Sequence, residues 1–164
     1  MTREESIIVK RDLTLVKTAI IEECAEIIQC ICKIKRFGFH SYNPFVHNGP
    51  SNLDHLISEL GDLLALISVL CNETSFSHTL ADIHEEMGDV AIQNNKADLE
   101  YLQSNVIAIM RCIDIGHSSI FLCTLLAAFL VHAKRFSESF DKYDEMIAAS
   151  DKKMIKLHKF LPTL

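Results

Sequence analysis

Leu13, Val16, Ile20, Cys24, Ile27 and Ile31 recur at steps of three and four residues. That spacing puts all six on one stripe of a helix and on no single face of a strand. The spacing predicts an amphipathic helix over about 11–36, and the same period returns along most of the chain. Leu53, Leu56, Ile57, Leu60, Leu63, Leu64 and Ile67 mark a second helix, capped by Ser51 or Asn52 and running to about Cys71. Further helices are expected over about 78–93, about 96–114, from Ser118 or Ser119 to about 136, and about 140–160. The helix of about 119–136 is apolar on nearly every side and is expected at the centre. Five glycines and three prolines in 164 residues leave little punctuation for a turn-dense β fold. No alternation of useful strand length occurs. The fold expected is all-α, a helix bundle.

A length of 164 residues suits one domain with its own core. The expectation is a single all-α domain over 1–164: first helices over about 11–72, additional helices over about 75–140, and a last helix over about 140–160. Residues 37–51, FGFHSYNPFVHNGPS, form the one clear loop. Phe37 and Phe45 are expected to anchor it in the core.

Composition excludes several classes. Sixteen basic against 22 acidic residues give a net charge of −6, which argues against a nucleic-acid binder. The run Ile120–Val131, broken only by Thr124, is far short of the roughly 20 residues of a membrane span. The first residues, MTREESIIVKRD, contain no apolar stretch of signal-peptide length. Six cysteines lie in apolar stretches without CxxC pairing and read as reduced thiols in a cytoplasmic protein.

The chemistry rests on acids placed inside apolar helices. Glu23 and Glu26 stand three apart on the first helix, about 60° apart in projection. Glu59 and Asp62 repeat that step on the second. Two such pairs beside stripes that face the core repel one another unless a cation offsets them. Four carboxylates make an oxygen-rich cage suited to Mg²⁺ or Mn²⁺, with positions left for water and phosphate. The plainer alternative is that both pairs are solvated edges of amphipathic helices.

The segment IEECAEIIQCICKIKRFGF, followed by a loop and NLDHLISELGDLLALISVL, resembles the MazG-like all-α nucleoside triphosphate pyrophosphohydrolases. The likeness is to the short phage and bacterial members, and the lysine-rich MIAASDKKMIKLHKFLP is similar to their last helix. The resemblance implies a bundle of that type with extra helices in the middle of the chain. It implies Mg²⁺-dependent cleavage of a nucleoside triphosphate to monophosphate and pyrophosphate, a homodimer or homotetramer, and a role in cleansing or remodelling the nucleotide pool. It makes Glu23, Glu26, Glu59 and Asp62 the metal ligands, with Glu23 or Glu26 orienting or deprotonating the attacking water. The partner expected is a nucleoside triphosphate, with neither nucleic acid nor membrane, in the cytoplasm, or the host's if the protein is phage-borne.

Lys33 lies two turns beyond Glu26, and it or Arg36 could hold phosphate oxygens; a helix-end cluster complementing the dipole explains them equally. In the loop, Tyr42 and the other aromatics could stack on a base, while His40 and Asn43 could read its edge. Lys152, Lys153, Lys156 and Lys159 could meet phosphates but read first as solvated. Glu86-Met-Gly-Asp89 echoes Glu59-Leu-Gly-Asp62 without a preceding ExxE, so a second site is not expected there. The rival reading of the whole chain is a non-enzymatic helical interaction protein with a degenerate acidic site, its apolar 119–131 helix forming an oligomer interface.

Overall fold

The computed structural model describes residues 3–73, 95–116 and 119–160. Five helices fill these residues: α1 (Arg3–Phe37), α2 (Asn52–Glu73), α3 (Asn95–Ile115), α4 (Ser119–Glu138) and α5 (Tyr143–Phe160). There is no strand among the described residues, only an isolated antiparallel bridge between Tyr42 and Ser51. The all-α expectation holds. The helix expected over 78–93, together with Glu86 and Asp89, lies outside the described residues.

α1 begins earlier than the periodicity indicated. Residues 3–12 contain neither glycine nor proline, so nothing in them stops the helix. Its C-terminus is defined sharply: Gly38 adopts φ 89° and its amide donates to Ile34 O at 2.7 Å. Ser51 caps α2 in a reciprocal pair. Asp54 N donates to Ser51 Oγ at 3.1 Å, and Ser51 N donates to Asp54 Oδ2 at 3.1 Å.

α2, not α4, is the hub. It packs against α1 and α5, while α3 packs on α1 and α4, and α4 makes lesser contacts with α2 and α5. Ile20, Ile27 and Ile31 of α1 and Leu56, Leu60, Leu63, Leu66, Ile67 and Leu70 of α2 are almost wholly buried. The expectation that the 119–136 helix is central is therefore corrected. Its first turn leaves Ile120 and Phe121 exposed, because only α3 covers most of its length. α4 is long and apolar enough by composition to qualify as a membrane span, but half of that window is buried among the other helices.

α2 and α5 approach closely at Gly61. A Cβ there would overlap Met146 O and would lie 2.7 Å from the Cβ of Ala149. The glycine between Leu60 and Asp62 thus sets how near α5 comes to the acidic end of α2. The loop of 38–51 is pinned differently from expectation. Phe37 and Phe45 are 59% and 94% exposed, whereas Phe39 packs against Phe136 and Phe140 at ring-centroid distances of 6.4 and 4.9 Å. Phe39 follows Gly38, whose left-handed turn directs the chain back over the α4–α5 end. Asn52 ties the loop further, donating from Nδ2 to Gly38 O at 3.0 Å and from its amide to Ser41 O at 2.8 Å.

Candidate metal and phosphate site

The three-residue steps on α1 and α2 bring their acids face to face. Carboxylate oxygens of Glu23, Glu26 and Glu59 lie within 4.8 Å of one another. Glu23 is buried, Glu59 half-buried and Glu26 exposed, so the cluster opens to solvent on the Glu26 side. Asp62 joins through α5. Lys153 Nζ donates to Glu23 Oε1 at 2.6 Å and to Asp62 Oδ2 at 3.2 Å. The second oxygen, Glu23 Oε2, is buried with no hydrogen-bond partner among the described residues.

The electrostatics follow from this crowding. Burial pushes Glu59 up to about 8, helped by its hydrogen bond with Glu26 and by the charges of Glu26, Glu23 and Asp62. Burial also raises Glu23, against the opposing pull of Lys153. The Lys153 ammonium is desolvated, but Glu23 and Asp62 outweigh that and raise it overall. The helix-edge alternative fails at Glu23, since a solvated edge does not bury an acid or leave one of its oxygens unpartnered.

The donor set fits a hard divalent cation: three or four carboxylates, one with a free buried oxygen. Thiols are unsuited to it. Burial pushes Cys24 up to about 12 and Cys30 up to about 11, so both stay protonated.

Two grooves flank α2. One, of about 460 Å³, lies toward α1 and the loop and is lined by Lys33, Phe37, Tyr42, Asn43 and His55 among others. Lys33 and Asn43 are thereby brought together. Arg36 and His40 lie outside that lining; the Arg36 guanidinium sits 5.0 Å over the Phe37 ring. The other groove, of about 360 Å³, lies toward α5 and carries Lys152, Lys153 and Lys156 beside Asp62.

Lys153 corrects the expectation of solvated lysines on the last helix. Its partner Glu23 is 130 residues away in sequence, so no local pattern announces the pair. The only signal was the clustering of lysines on a segment that resembled the last helix of the short family members.

Residues 11–79 match the family model of the MazG nucleotide pyrophosphohydrolase domain. The matched stretch contains the clustered Glu23, Glu26 and Glu59 and also Asp62, on α1 and α2. No curated protein and no solved structure matches the chain.

Proposed function

With the MazG match as premise, we propose that this protein hydrolyses nucleoside triphosphates to monophosphate and pyrophosphate, with Mg²⁺ or Mn²⁺ held by Glu23, Glu26, Glu59 and Asp62. The observation that carries the reading is the convergence of Glu23, Glu26 and Glu59 within 4.8 Å, with an unpartnered buried oxygen on Glu23. A solvent-exposed pair of helix edges has no reason to assemble such a set.

Held by these carboxylates, a divalent cation would neutralise triphosphate charge and polarise the α-phosphorus. The chain's own groups do the rest. Glu26, the exposed member, accepts a proton from the attacking water and returns it to solvent. The water oxygen bonds to the α-phosphorus as the bond to the α,β-bridging oxygen breaks, and the electron pair leaves with pyrophosphate. Glu23, whose Oε1 is held by Lys153 before the cation arrives, would offer its unpartnered Oε2 as a ligand. Lys33 and Asn43 line the groove toward the loop, where Tyr42 offers an exposed ring for a base; Arg36 and His40 stand at its margin as further contacts for phosphate or base.

The proposal includes self-association as a homodimer or homotetramer in the cytoplasm, with no nucleic-acid or membrane partner. Exposed Ile115, Ile120 and Phe121, around the α3–α4 end, support an interface there. Light scattering coupled to gel filtration reads the assembly.

The deciding experiment incubates a panel of ribo- and deoxynucleoside triphosphates with Mg²⁺ or Mn²⁺ and separates the products. Monophosphate with stoichiometric pyrophosphate, lost in Asp62→Asn, is the expected result. Diphosphate with orthophosphate, with inorganic pyrophosphatase excluded, overturns the reaction. No turnover of any nucleotide with either metal favours the non-enzymatic alternative.

A further inference from the structure

Lys153 occupies an unusual position for a lysine on a helix with several others. Its ammonium is the counter-ion of the acidic cluster, bonded to Glu23 and Asp62, while its neighbours Lys152 and Lys156 are exposed and make no ion pair among the described residues. Lys152 and Lys153 stand four and three residues before Lys156 on α5, each within one helical turn of it. All three line the groove between α2 and α5.

The charge in that groove is divided along its length. At one end, Asp54 and Glu145 share a single lysine, Lys142, whose Nζ lies 3.3 Å from Asp54 Oδ1 and 2.9 Å from Glu145 Oε1. At the other, beside Asp62, the charge without an ion pair among the described residues is positive and belongs to Lys152 and Lys156. Ser58 adds a hydroxyl to the same wall. Such a lining suits an anion rich in oxygen atoms. The groove on the opposite flank of α2 differs: Tyr42, Phe37, Asn43 and His55 offer rings and amide groups. Asp62 lines the α5 groove, while Lys33 and His55 of the loop groove stand along α1 and α2 from Glu26 and Glu59. A nucleotide with its nucleoside in the loop groove would have its terminal phosphates toward α5.

The pairing of Lys153 with Glu23 and Asp62 uses the same carboxylates that a divalent cation would need. Glu23 Oε2 is left for a cation while Oε1 and Asp62 Oδ2 hold the ammonium, and a doubly charged cation on those carboxylates repels the ammonium beside it. The α2–α5 groove, which Lys153 already lines, is open to its side chain.

We propose that the α2–α5 groove is the seat of the departing pyrophosphate, and that Lys153 exchanges between the acidic cluster in the metal-free protein and that groove, beside Lys152 and Lys156, when the cation is bound. The inference rests on the pyrophosphohydrolase reading and names the leaving-group side of that same site. Lys153 is thereby a positioning residue before substrate arrives and a ligand of the product afterwards.

The test uses the full chain without nucleotide. Mn²⁺ binding is measured by electron paramagnetic resonance for wild type, Lys153→Met and Lys153→Arg, each checked for folding by circular dichroism. Removing the competing ammonium should tighten Mn²⁺ binding in Lys153→Met by about tenfold, the equivalent of one lost ion-pair competitor, while Lys153→Arg stays near wild type. Calorimetric titration with pyrophosphate in Mg²⁺ should show affinity weakened about tenfold in Lys153→Met and severalfold in the double variant Lys152→Met/Lys156→Met. Mn²⁺ affinity that is unchanged or weaker in folded Lys153→Met overturns the exchange. Pyrophosphate affinity equal in all variants overturns the groove. Wild type that binds no Mn²⁺ at millimolar concentration defeats the metal-dependent reading itself, a result distinguishable from both.

Discussion

Gly61 of α2 lies beneath Ala149 of α5 so closely that a Cβ on the glycine would stand 2.7 Å from the Ala149 Cβ and would overlap Met146 O. This contact sits one residue from Asp62 and, on α5, four from Lys153. The acidic cluster and its lysine therefore meet because the two backbones touch at a glycine.

Gly61→Ala sets two effects against each other. Alanine in a helix interior gains about 1 kcal/mol over glycine in propensity. Overpacking against backbone costs about 1–3 kcal/mol, and a carbonyl oxygen cannot turn aside as a side chain can. The net should be destabilising, with a lower thermal midpoint. Adding Ala149→Gly removes the Cβ contact but leaves Met146 O and gives up about 1 kcal/mol of helix propensity in α5, so it should not restore the wild-type midpoint. A Gly61→Ala protein that melts higher than wild type would show that α2 and α5 are not in this contact.

Crowding at Glu59 predicts how the metal-free protein responds to pH. Its folded value is raised from 4.5 to about 8. Between these values the folded state holds a proton that the unfolded state has released, so stability falls as pH rises across the window. Glu59→Gln removes that dependence. In EDTA, the variant should melt close to wild type at pH 5 and clearly higher at pH 9, where wild type bears the full repulsion. It should also lose the stabilisation that millimolar Mn²⁺ gives the wild type. Equal pH profiles for the two proteins in EDTA would show that Glu59 is not held against its neighbours.

The α2 cap is testable apart from any function. Ser51 Oγ accepts from Asp54 N at 3.1 Å, and the Asp54 carboxylate accepts from both Ser51 N and Ser51 Oγ. Ser51→Ala removes one half of the box and should cost about 0.5–2 kcal/mol in chemical denaturation. A change smaller than that would mean that the loop pairing of Asn52 and Leu53 with Ser41 and Phe39 holds the helix start alone.

The parts of this molecule that sequence made legible are those written in a local period. Val16, Ile20, Ile27 and Ile31 announce α1, and the same helix geometry carries Glu23 and Glu26 to one face, where Glu59 meets them while Asp62 is linked to Glu23 only through Lys153. What stayed hidden is non-local. Lys153 reaches its partner across 130 residues, and nothing near it distinguishes it from Lys152 or Lys156. Phe39 rather than Phe37 or Phe45 enters the core because Gly38 turns the chain left-handed, and a loop has no period to reveal which ring that turn sends inward. The centrality of α2 was equally obscured, because an all-round apolar sequence made α4 look more buried than its neighbours allow.

A second pH dependence should arise far from the acidic cluster. His132 of α4 stacks on Tyr101 of α3, with ring centroids 5.4 Å apart and planes 1° apart. Burial, with help from Arg135 on the same helix, holds the imidazole below its ordinary value of 6.5, and Asp98 on α3 opposes this. Below pH 6.5 the unfolded chain gains a proton that folded His132 resists, so stability is lost as pH falls from 6.5 toward the depressed value. Asp98 is raised by burial from 3.8 and contributes with the opposite sign at lower pH, so the comparison must be between proteins and not along one curve. His132→Gln deletes the titration and also the stacking, which is worth about 0.5–1.5 kcal/mol. The variant should therefore melt lower than wild type at pH 8, and the gap should narrow steadily toward pH 5. Melts at half-unit steps in EDTA read that gap directly. If it stays constant across the range, His132 takes up its proton as freely in the folded protein as in the unfolded chain, and the α3–α4 packing around it is looser than the stacked geometry requires.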